Sequence, residues 1–600
     1  MRNGRWRYGA PLALVLVIAF ALRLWGIEEG LPYVYNVDEY GHFVPEAVAM
    51  SLHGLNPHYF INPPALTYLL HVVFAVSLGG RAGITREFAL HPDRVFLVAR
   101  VTVALLGTVS VGLLYLVGAR LFNRAVGLLA AAVMAVAFLP VFYGHLALND
   151  VPTLAPLTLS LLGTAGILRR GRLLDYLVAG IGLGLAAATK YTAGVMLIPL
   201  LAAAAAQYLD ANPDADGRSG VDRRSGVDGR QADVDGRPGA RRDVAIGIGI
   251  ALVAALSAFL IANPFSVLDF HSFRADLERQ SAYTEQSRAS WIGGPRQGGF
   301  VYYLWSLSWG LGWVPALAAL GGAVTIWRKR PRVGWTLVPV TVLYLLFLSL
   351  QGRYFGRWLL PILPVACLLA ADFALELAGW ASRRAPRLRT GFTALAVLAL
   401  AAQGLLYSIH SGLTLSRADT RNLARRWVVE HIPAGARIVV EPVVPNAWLA
   451  DTSLKDELRP AHVRWVKYPT LRLVLDPASG TPEPPHRTVL LENYERTLGP
   501  ALIPYYERHG YCWVVSGFTQ AGRALADPKV VPDAIAYYRA LAAQGEVVYR
   551  ASPYSSGKYR PGRGPVGFNF DWTFDYYPLA FHRPGPEMTV YRLRGGRCSY

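Results

Sequence analysis

The sequence has 600 residues, of which 53% are hydrophobic, and its mean hydropathy is +0.29. This composition excludes an ordinary soluble enzyme and places the chain among polytopic membrane proteins. The net charge of +19 would suit a nucleic-acid partner. However, the basic residues fall in short clusters between apolar segments, so cytoplasmic loops of a membrane protein explain them more simply. We therefore expect no nucleic-acid partner.

The apolar segments predict eleven transmembrane helices, because a span needs roughly 20 apolar residues. The first segment follows three arginines and resembles a signal peptide, but no small-residue cleavage site comes after it. We interpret it as an uncleaved first helix with a cytoplasmic N-terminus. The predicted spans lie at about 9–27, 95–118, 125–143, 151–168, 174–189, 191–208, 244–262, 301–327, 334–350, 358–379 and 391–410.

Three basic clusters, at 169–172, 328–332 and 383–389, fix the predicted topology. With eleven spans all three clusters lie on the cytoplasmic side, as the positive-inside rule requires. A twelfth span at about 64–79 would put all three outside. We therefore predict that this segment is a non-spanning helix at the outer membrane surface, begun by Pro63 and Pro64, which suit a helix N-terminus.

The first outer loop carries the most distinctive residues of the chain. It contains Tyr35-Asn36-Val37-Asp38-Glu39-Tyr40-Gly41-His42-Phe43 and, about twenty residues later, Asn62-Pro63-Pro64-Ala65-Leu66. Charged groups near a bilayer are costly and usually functional. The topology places four more features on the same outer face, and together they predict one extracytoplasmic site. These features are Asp150, Lys190, the loop 263–300 and the segment Gly352–Arg357.

The two first-loop motifs resemble those of polytopic GT-C glycosyltransferases that use lipid-phosphate sugars. The relatives are the protein O-mannosyltransferases and aminoarabinose transferases, including bacterial enzymes with an RgtA/B/C/D-like domain. The resemblance covers about the first 410 residues. It implies an integral membrane enzyme that transfers a hexosyl or pentosyl group, with inversion, from a polyprenyl-phosphate donor. The acceptor outside the cytoplasm would be a protein, a lipid or a cell-wall glycan.

Such a transfer needs a base for the acceptor hydroxyl and cations for the departing phosphate. In the family, the first acidic residue of this loop is the base, and Asp38 matches it. Glu39 is a second catalytic candidate, because a neighbouring carboxylate shifts the pKa of Asp38. Alternatively, Glu39 holds a divalent metal ion with His42, His58 or Asp150. The structural alternative is that Asp38 and Glu39 only cap a surface helix.

Asp150, which follows Asn149 in the next outer loop, resembles the second acidic site of the family. It precedes Val151-Pro152-Thr153, so it could equally cap the following helix. Some relatives carry Lys or His directly before the Pro-Pro pair, where this chain has Asn62. That departure leaves any phosphate or acceptor role of this position without support.

The candidates for binding the donor phosphate are cations at the outer ends of predicted spans. Arg100 matches an arginine of the family that contacts the lipid phosphate. Lys190 interrupts an apolar run, and Arg353 and Arg357 stand at the start of the tenth span. Arginine suits phosphate because its planar guanidinium donates several hydrogen bonds. The alternative for all four is interfacial anchoring in the headgroup zone.

The membrane part is interrupted at about 209–243 by a Gly-, Asp- and Arg-rich segment with short repeats. We predict a disordered cytoplasmic linker here, or an unselected low-complexity insertion. The domains are then 1–410, a transmembrane glycosyltransferase domain whose catalytic outer loop is 28–92, and 411–600, an extracytoplasmic α/β domain. In the second domain we predict helices at Ser416–His431 and Pro532–Ala543. The predicted strands are Ala436–Glu441, Tyr511–Ser516, Glu546–Arg550 and Met588–Leu593.

The second domain also contains an aromatic run at 568–582 with two aspartates. Aromatic faces beside acids are typical of sugar binding, but we favour a packing or membrane-docking role. Cys512 and Cys598 both lie in this domain and could pair, or both could be free thiols. Cys367 lies in an apolar segment and is expected to pack there. No nucleotide-binding, zinc-protease or serine-hydrolase motif is present in the sequence.

Two functions of other classes compete with the enzyme. A transporter or flippase of a lipid-linked sugar would place ionisable groups at the bilayer midplane and show repeated halves. Here the notable charges fall on one face, and no repeat of the halves is evident. A catalytically inactive carbohydrate-binding subunit is opposed by the intact Asp38-Glu39 pair. We therefore predict a multi-pass enzyme of the cell membrane whose partners are the lipid-linked donor, membrane lipids and the acceptor.

Overall fold

A computed structural model describes residues 3–210, 240–285, 291–450, 463–470, 474–475, 482–483, 491–555 and 566–599. The chain is mostly helical, and a small sheet domain follows the last long apolar helix. This arrangement confirms the predicted fold class, a helical membrane protein with a C-terminal α/β domain. Nearly all of the predicted linker at 209–243 lies outside the described residues.

The membrane part consists of nineteen helices in the described ranges. They are α1 (Asn3–Leu24), α2 (Val37–Gly41), α3 (Phe43–His53), α4 (Ala65–Ser77), α5 (Gly80–Leu90), α6 (Pro92–Leu121), α7 (Arg124–Val136), α8 (Phe138–Phe142), α9 (Leu154–Arg170), α10 (Leu173–Thr189), α11 (Leu197–Asp210), α12 (Ala240–Ala262), α13 (Phe265–Leu268), α14 (Phe270–Glu285), α15 (Gly299–Leu307), α16 (Trp313–Lys329), α17 (Pro331–Ser349), α18 (Leu363–Arg384) and α19 (Arg389–Leu415).

Seven helical segments in the described part of the chain are long and apolar enough to cross a membrane, or up to nine if each of two bent pairs counts as one span. Two shorter apolar helices, Tyr8–Leu24 and Leu173–Thr189, fall below that length. The model therefore supports a multi-pass membrane protein. The predicted number of eleven spans is not confirmed by these lengths. The spans share one continuous apolar core that includes residues of α4, α6, α7, α9 and α18.

The ambiguous segment at about 64–79 forms the first half of a bent pair. Helix α4 begins directly after Pro64, and the chain then turns by 96° into α5. The turn is made by Gly79 and Gly80, whose φ angles of 84° and 77° suit glycine because a Cβ would be strained there. A single straight span at this position is therefore excluded, whereas the predicted location at the outer membrane surface stays a prediction.

The C-terminal domain consists of helices packed against a mixed sheet. Its elements are α20 (Thr420–His431), β1 (Arg437–Val440), β2 (Val466–Lys467), β3 (Val474–Leu475), β4 (Pro482–Glu483), α21 (Leu502–His509), β5 (Tyr511–Gly517), α22 (Phe518–Ala526), α23 (Pro532–Gln544), β6 (Glu546–Ala551) and β7 (Met588–Arg592). The main sheet has the order β2-β1-β5-β7-β6. Strand β1 is parallel to β2 and β5, and β7 is antiparallel to β5 and β6.

Both faces of this sheet are covered. Alternate residues of a strand point to opposite faces, and Val439 and Val514 accordingly join a core with α21 and α23. Val440 and Val515 join a second core, with α20 on the other side. The strands and helices predicted here agree with the structure to within a few residues at each end, the largest difference being the start of α20.

A disulfide joins Cys512, in β5, to Cys598, with their Cα atoms 5.3 Å apart. The sequence left pairing and free thiols open, and the structure shows pairing. Disulfides persist mainly in oxidising compartments, and the extracytoplasmic position of the domain stays a prediction. Cys367 is buried in α18 and is the free cysteine of the described chain, as expected.

Candidate functional site

Asp38 and Glu39 lie on the short helix α2, which Asn36 caps. The side-chain oxygen of Asn36 accepts hydrogen bonds from the backbone N–H groups of Asp38 and Glu39, both at 3.1 Å. The cap fixes the start of the helix. Because Asp38 and Glu39 are consecutive residues of this helix, their carboxylates point in different directions. The side chain of Asp38 is 41% exposed, whereas that of Glu39 is 0% exposed.

Asp38 is the first of four alternating charges. Nη2 of Arg357 donates a hydrogen bond of 2.6 Å to Oδ2 of Asp38. Nε of the same guanidinium lies 3.9 Å from Oδ2 of Asp150, and Nζ of Lys190 pairs with the other oxygen of Asp150. Asp150 is only 4% exposed, so its carboxylate holds the two cations in place and is not presented to a substrate as openly as Asp38.

The four residues come from distant parts of the sequence. Asp150 follows α8, Lys190 joins α10 to the next helical turn, and Arg357 begins the 3-10 helix Gly356–Ile362 ahead of α18. The structure thus brings Asp38, Asp150, Lys190 and Arg357 together at one end of the membrane part, as the topology predicted. We call these four residues, with Arg353, the candidate site.

Arg353 is at the edge of the candidate site. Its guanidinium lies 4.4 Å from the centre of the Trp291 ring, a cation–π contact, and it adds positive charge near Asp38. Burial raises the pKa of the Asp38 carboxyl, but Arg357, together with His42 and Arg353, lowers it more. The net effect is a pKa below the ordinary value of an aspartate, so Asp38 is ionised near neutral pH.

Arg100 and Glu39 pair with each other inside the protein. The guanidinium of Arg100 donates to both carboxylate oxygens, at 2.7 and 2.9 Å, and also to the backbone carbonyls of Ile27 and Glu29. Glu39 accepts a further bond from the N–H of Ala147 at 2.9 Å. Arg100 is 1% exposed. This geometry gives no support to the predicted phosphate contact of Arg100, because the pair is turned away from Asp38 and ties α2 to α6.

Glu39 and His42, which were predicted as possible ligands of one metal ion, contact different partners. His42 lies 3.5 Å from the carboxylate of Glu46 and stacks on the ring of Tyr59, with 4.4 Å between ring centres. Across the residues that the structure describes, no three His, Cys, Asp or Glu side chains are grouped so that they could hold a metal ion. Asn62, the departure from the family pattern, donates to the hydroxyl of Tyr59 at 3.0 Å.

The loop 263–300 holds the first outer loop in place, which the sequence did not reveal. The buried carboxylate of Asp276, in α14, accepts a bond of 2.7 Å from the N–H of Phe60. Asp269 accepts a bond of 2.8 Å from the side chain of Asn56. The end of α14 also reaches the segment before Arg353, because the N–H of Gly352 donates to the carbonyl of Thr284 at 3.0 Å.

The aromatic run at 568–582 docks into the membrane part beside the candidate site. The buried ring of Tyr576 packs against Phe138, Phe142 and Trp309, and its hydroxyl accepts a bond of 3.1 Å from Tyr143. The neighbouring Asp575 adds negative charge near Arg357. A packing role, which the sequence analysis favoured, is what the structure shows. The density of aromatic residues in the sequence indicated a packing role, but the sequence did not predict which surface of the membrane part they cover.

A family model described as dolichyl-phosphate-mannose-protein mannosyltransferase matches residues 88–213. The matched part contains Arg100, Asp150 and Lys190 but not Asp38. The archaeal oligosaccharyltransferase AglB from Archaeoglobus fulgidus has a similar structure, with 12% identity, a TM-score of 0.50, and coverage of 92% of this chain and 74% of that chain. The chain is similar to the GT-C glycosyltransferases.

Two further GT-C structures are similar over most of this chain, with lower scores. The aminoarabinose transferase ArnT from Cupriavidus metallidurans, bound to undecaprenyl phosphate, shows 15% identity, a TM-score of 0.43, and coverage of 90% of this chain and 96% of that chain. The arabinofuranosyltransferase AftD from Mycobacteria shows 14% identity, a TM-score of 0.39, and coverage of 99% of this chain and 40% of that chain. A comparison with curated proteins gave no match. At these identities the structural likeness establishes the GT-C fold and not the activity.

Proposed function

We propose that the protein is a membrane glycosyltransferase that moves a sugar from a polyprenyl-phosphate donor to an acceptor on the extracytoplasmic side. The observation that carries the proposal is the half-exposed carboxylate of Asp38, which faces the cations Arg357 and Arg353 at the end of a GT-C membrane domain. The matching family model and the dolichol-phosphate bound to the AglB relative support a lipid-phosphate donor.

In this proposal Asp38 is the general base. An oxygen of the acceptor hydroxyl forms a bond to the anomeric carbon while the bond from that carbon to the donor phosphate breaks. The lipid phosphate leaves with the electron pair, and Asp38 takes the hydroxyl proton. Because the acceptor attacks from the side opposite to the phosphate, the configuration at the anomeric carbon inverts.

Arg357 links the general base Asp38 to the binding of the donor phosphate. Its guanidinium is paired with Asp38. A donor phosphate, which guanidinium binds through parallel hydrogen bonds, would compete for Arg357 and weaken that pair. Asp38 would then bind a proton more readily, so donor binding would prepare the base. Lys190 and Arg353 supply further positive charge for the departing phosphate, and Asp150 positions Lys190 and Arg357.

Several residues keep structural roles in this proposal. The Glu39–Arg100 pair fixes α2, and therefore Asp38, against α6. The C-terminal domain contributes the segment around Tyr576 and would shape the acceptor side. The charged residues of the candidate site cluster at one end of the membrane part, which favours an enzyme over a transporter with ionisable groups at the midplane.

The test is transfer from a panel of radiolabelled polyprenyl-phosphate sugars in membranes that contain wild type or Asp38→Asn. We expect label to reach an acceptor in wild type and transfer to fall about 10²–10⁴-fold in the variant, the usual contribution of a general base. Glu28→Gln, which changes an exposed carboxylate at the start of the same loop, is the matched control and should keep its activity. Near-normal transfer by a folded Asp38→Asn protein would contradict the assignment. Carrier translocation without transfer would establish the transporter instead.

A further inference from the structure

A second site lies at the opposite end of the membrane part. A cavity of about 730 Å³ is lined by the N-terminal part of α1, the C-terminal turns of α6 and the adjoining ends of α7 and α9. Arg120, on its wall, is twenty residues beyond Arg100 on the same helix, so the two lie about 30 Å apart at a rise of 1.5 Å per residue. The cavity is therefore separate from the candidate site.

Arginines dominate the polar side of this cavity, which we call the basic cavity. Four of them line it, from three helices: Arg120, Arg124, Arg169 and Arg170. Two of these share one carboxylate, since Asp175 lies 2.9 Å from Arg170 and 3.6 Å from Arg120. Arg169 donates to the backbone carbonyl of Arg120 at 3.1 Å. The four guanidinium groups thus concentrate positive charge in one concave space.

Two basic residues elsewhere at this end are each paired with an acidic residue of their own. Arg330 donates to both oxygens of Asp372 at 2.9 Å, and Lys329 donates to Glu376 at 2.5 Å. The guanidinium of Arg330 also lies over the ring of Phe122, directly after α6, which places this cluster beside the end of α6. In the basic cavity, by contrast, Arg120 and Arg170 share the carboxylate of Asp175.

The other side of the basic cavity is apolar and belongs to spanning helices. Leu12 of α1 and Leu116 of α6 line it, and Leu116 is 45% exposed. The cavity lies at the C-terminal end of α6, a candidate span of 30 residues. A space with guanidinium groups on one side and exposed leucine on the other is suited to an amphiphile with an anionic head. A small soluble anion would leave the apolar side unused.

We propose that the basic cavity binds the headgroup of an anionic membrane phospholipid, with its phosphate on the arginines and its acyl chains along α1 and α6. Guanidinium groups pair with phosphate oxygens through parallel hydrogen bonds. Basic pockets between spanning helices are suited to such headgroups. The lipid would join α1, α6 and α9 at this end of the membrane part.

The experiment measures lipid bound to the intact, detergent-purified chain by native mass spectrometry. Delipidated protein is exposed to nanodiscs of phosphatidylcholine containing either phosphatidylglycerol or cardiolipin. Wild type should retain the anionic lipid, and Arg124→Gln/Arg169→Gln should bind it about thirty-fold more weakly, since each arginine near a membrane surface contributes about a five-fold factor. Arg387→Gln/Arg389→Gln, two exposed arginines at the same end but outside the cavity, is the matched control and should bind like wild type.

Equal loss of lipid in the cavity variant and the control would overturn the proposal, because it would show unspecific attraction to basic residues. Retention by both variants, or phosphatidylcholine bound as tightly as the anionic lipids, would overturn it as well. Glycerol 3-phosphate tests whether a soluble phosphate binds in place of a lipid. If it protects wild type against thermal unfolding as well as the anionic lipids do, the cavity is assigned to a free anion. If the double variant does not fold, the exposed Arg124→Gln alone should still weaken binding about five-fold.

Discussion

The hydrogen bond between Asp38 and Arg357 couples the ionisation of the base to the cation that would receive the phosphate. In wild type the pKa of Asp38 is lowered, so activity should decline only in acid, as pH falls through that pKa. Removing Arg357 removes the main cause of the lowering, and burial then raises the pKa of Asp38. We expect Arg357→Gln to move the acid limb of kcat/KM to higher pH, in addition to slowing the reaction.

The measurement is the pH dependence of sugar transfer by both proteins over the acid range. An acid limb at the same pH in Arg357→Gln and wild type would show that Asp38 is not the titrating base, or that Arg357 does not control it.

The buried pair of Glu39 and Arg100 allows a prediction about stability. Removal of one partner of a buried ion pair leaves an uncompensated charge and typically costs about 3–5 kcal/mol. We expect Arg100→Met to lower the free energy of unfolding by that amount, measured by denaturation in detergent. The double variant Glu39→Met/Arg100→Met should lose less than the sum of the two single losses. Wild-type stability of the single variants would show that the pair does not hold α2.

The types of site residue were predictable from the sequence, but their orientations were not. Asp38 and Arg357 stand at loop positions beside predicted spans, and the structure brings them together. Arg100 has the same sequence signature, yet its side chain turns inward to a carboxylate 61 positions earlier. That outcome depends on how α2 packs against α6, which local pattern does not encode.

At the scale of elements, the packing of the segment around Tyr576 on the membrane part can be tested by two substitutions. Its ring is buried among aromatic residues of the membrane part, and its hydroxyl accepts a bond from Tyr143. We expect Tyr576→Ala to cost about 3–5 kcal/mol, as for other buried aromatic residues, and to reduce transfer. Tyr576→Phe keeps the ring and should cost about 1 kcal/mol, the value of one hydrogen bond.

Thermal unfolding and transfer assays on the same preparations compare the two variants. Equal effects of both substitutions would mean that the hydrogen bond, and not the aromatic packing, carries the contact.

Two helices and four strands of the C-terminal domain were predictable because their hydrophobic patterns are local, whereas α21, α22 and the short strands β2, β3 and β4 were not predicted. The main strands and helices start and end near the expected residues. The bend between α4 and α5 was only partly predictable: the basic clusters excluded a span there, but the 96° turn at Gly79 and Gly80 was not expected. Sequence patterns could not predict where the aromatic run at 568–582 docks, since its partners are hundreds of residues away in the sequence.

At the scale of the whole molecule, the orientation across the membrane is a prediction that thiol labelling can test. Lys529, in the C-terminal domain, and Arg387, before α19, are both exposed. The native cysteines should give little background, because Cys367 is buried and Cys512 and Cys598 are joined. An impermeant maleimide should label Lys529→Cys in intact cells and Arg387→Cys only after permeabilisation. The reverse pattern would invert the predicted topology.

The contact between Tyr143 and Tyr576 has a consequence for how the protein is made. The two hydroxyls are separated by 433 residues, which a ribosome working at about 5–20 residues per second needs roughly 20–90 s to add. From the synthesis of Trp309 onwards, the aromatic pocket around Phe138 and Trp309 lacks the segment that fills it. The pocket is therefore filled only when the chain has been synthesised almost to its end, at residue 576 of 600.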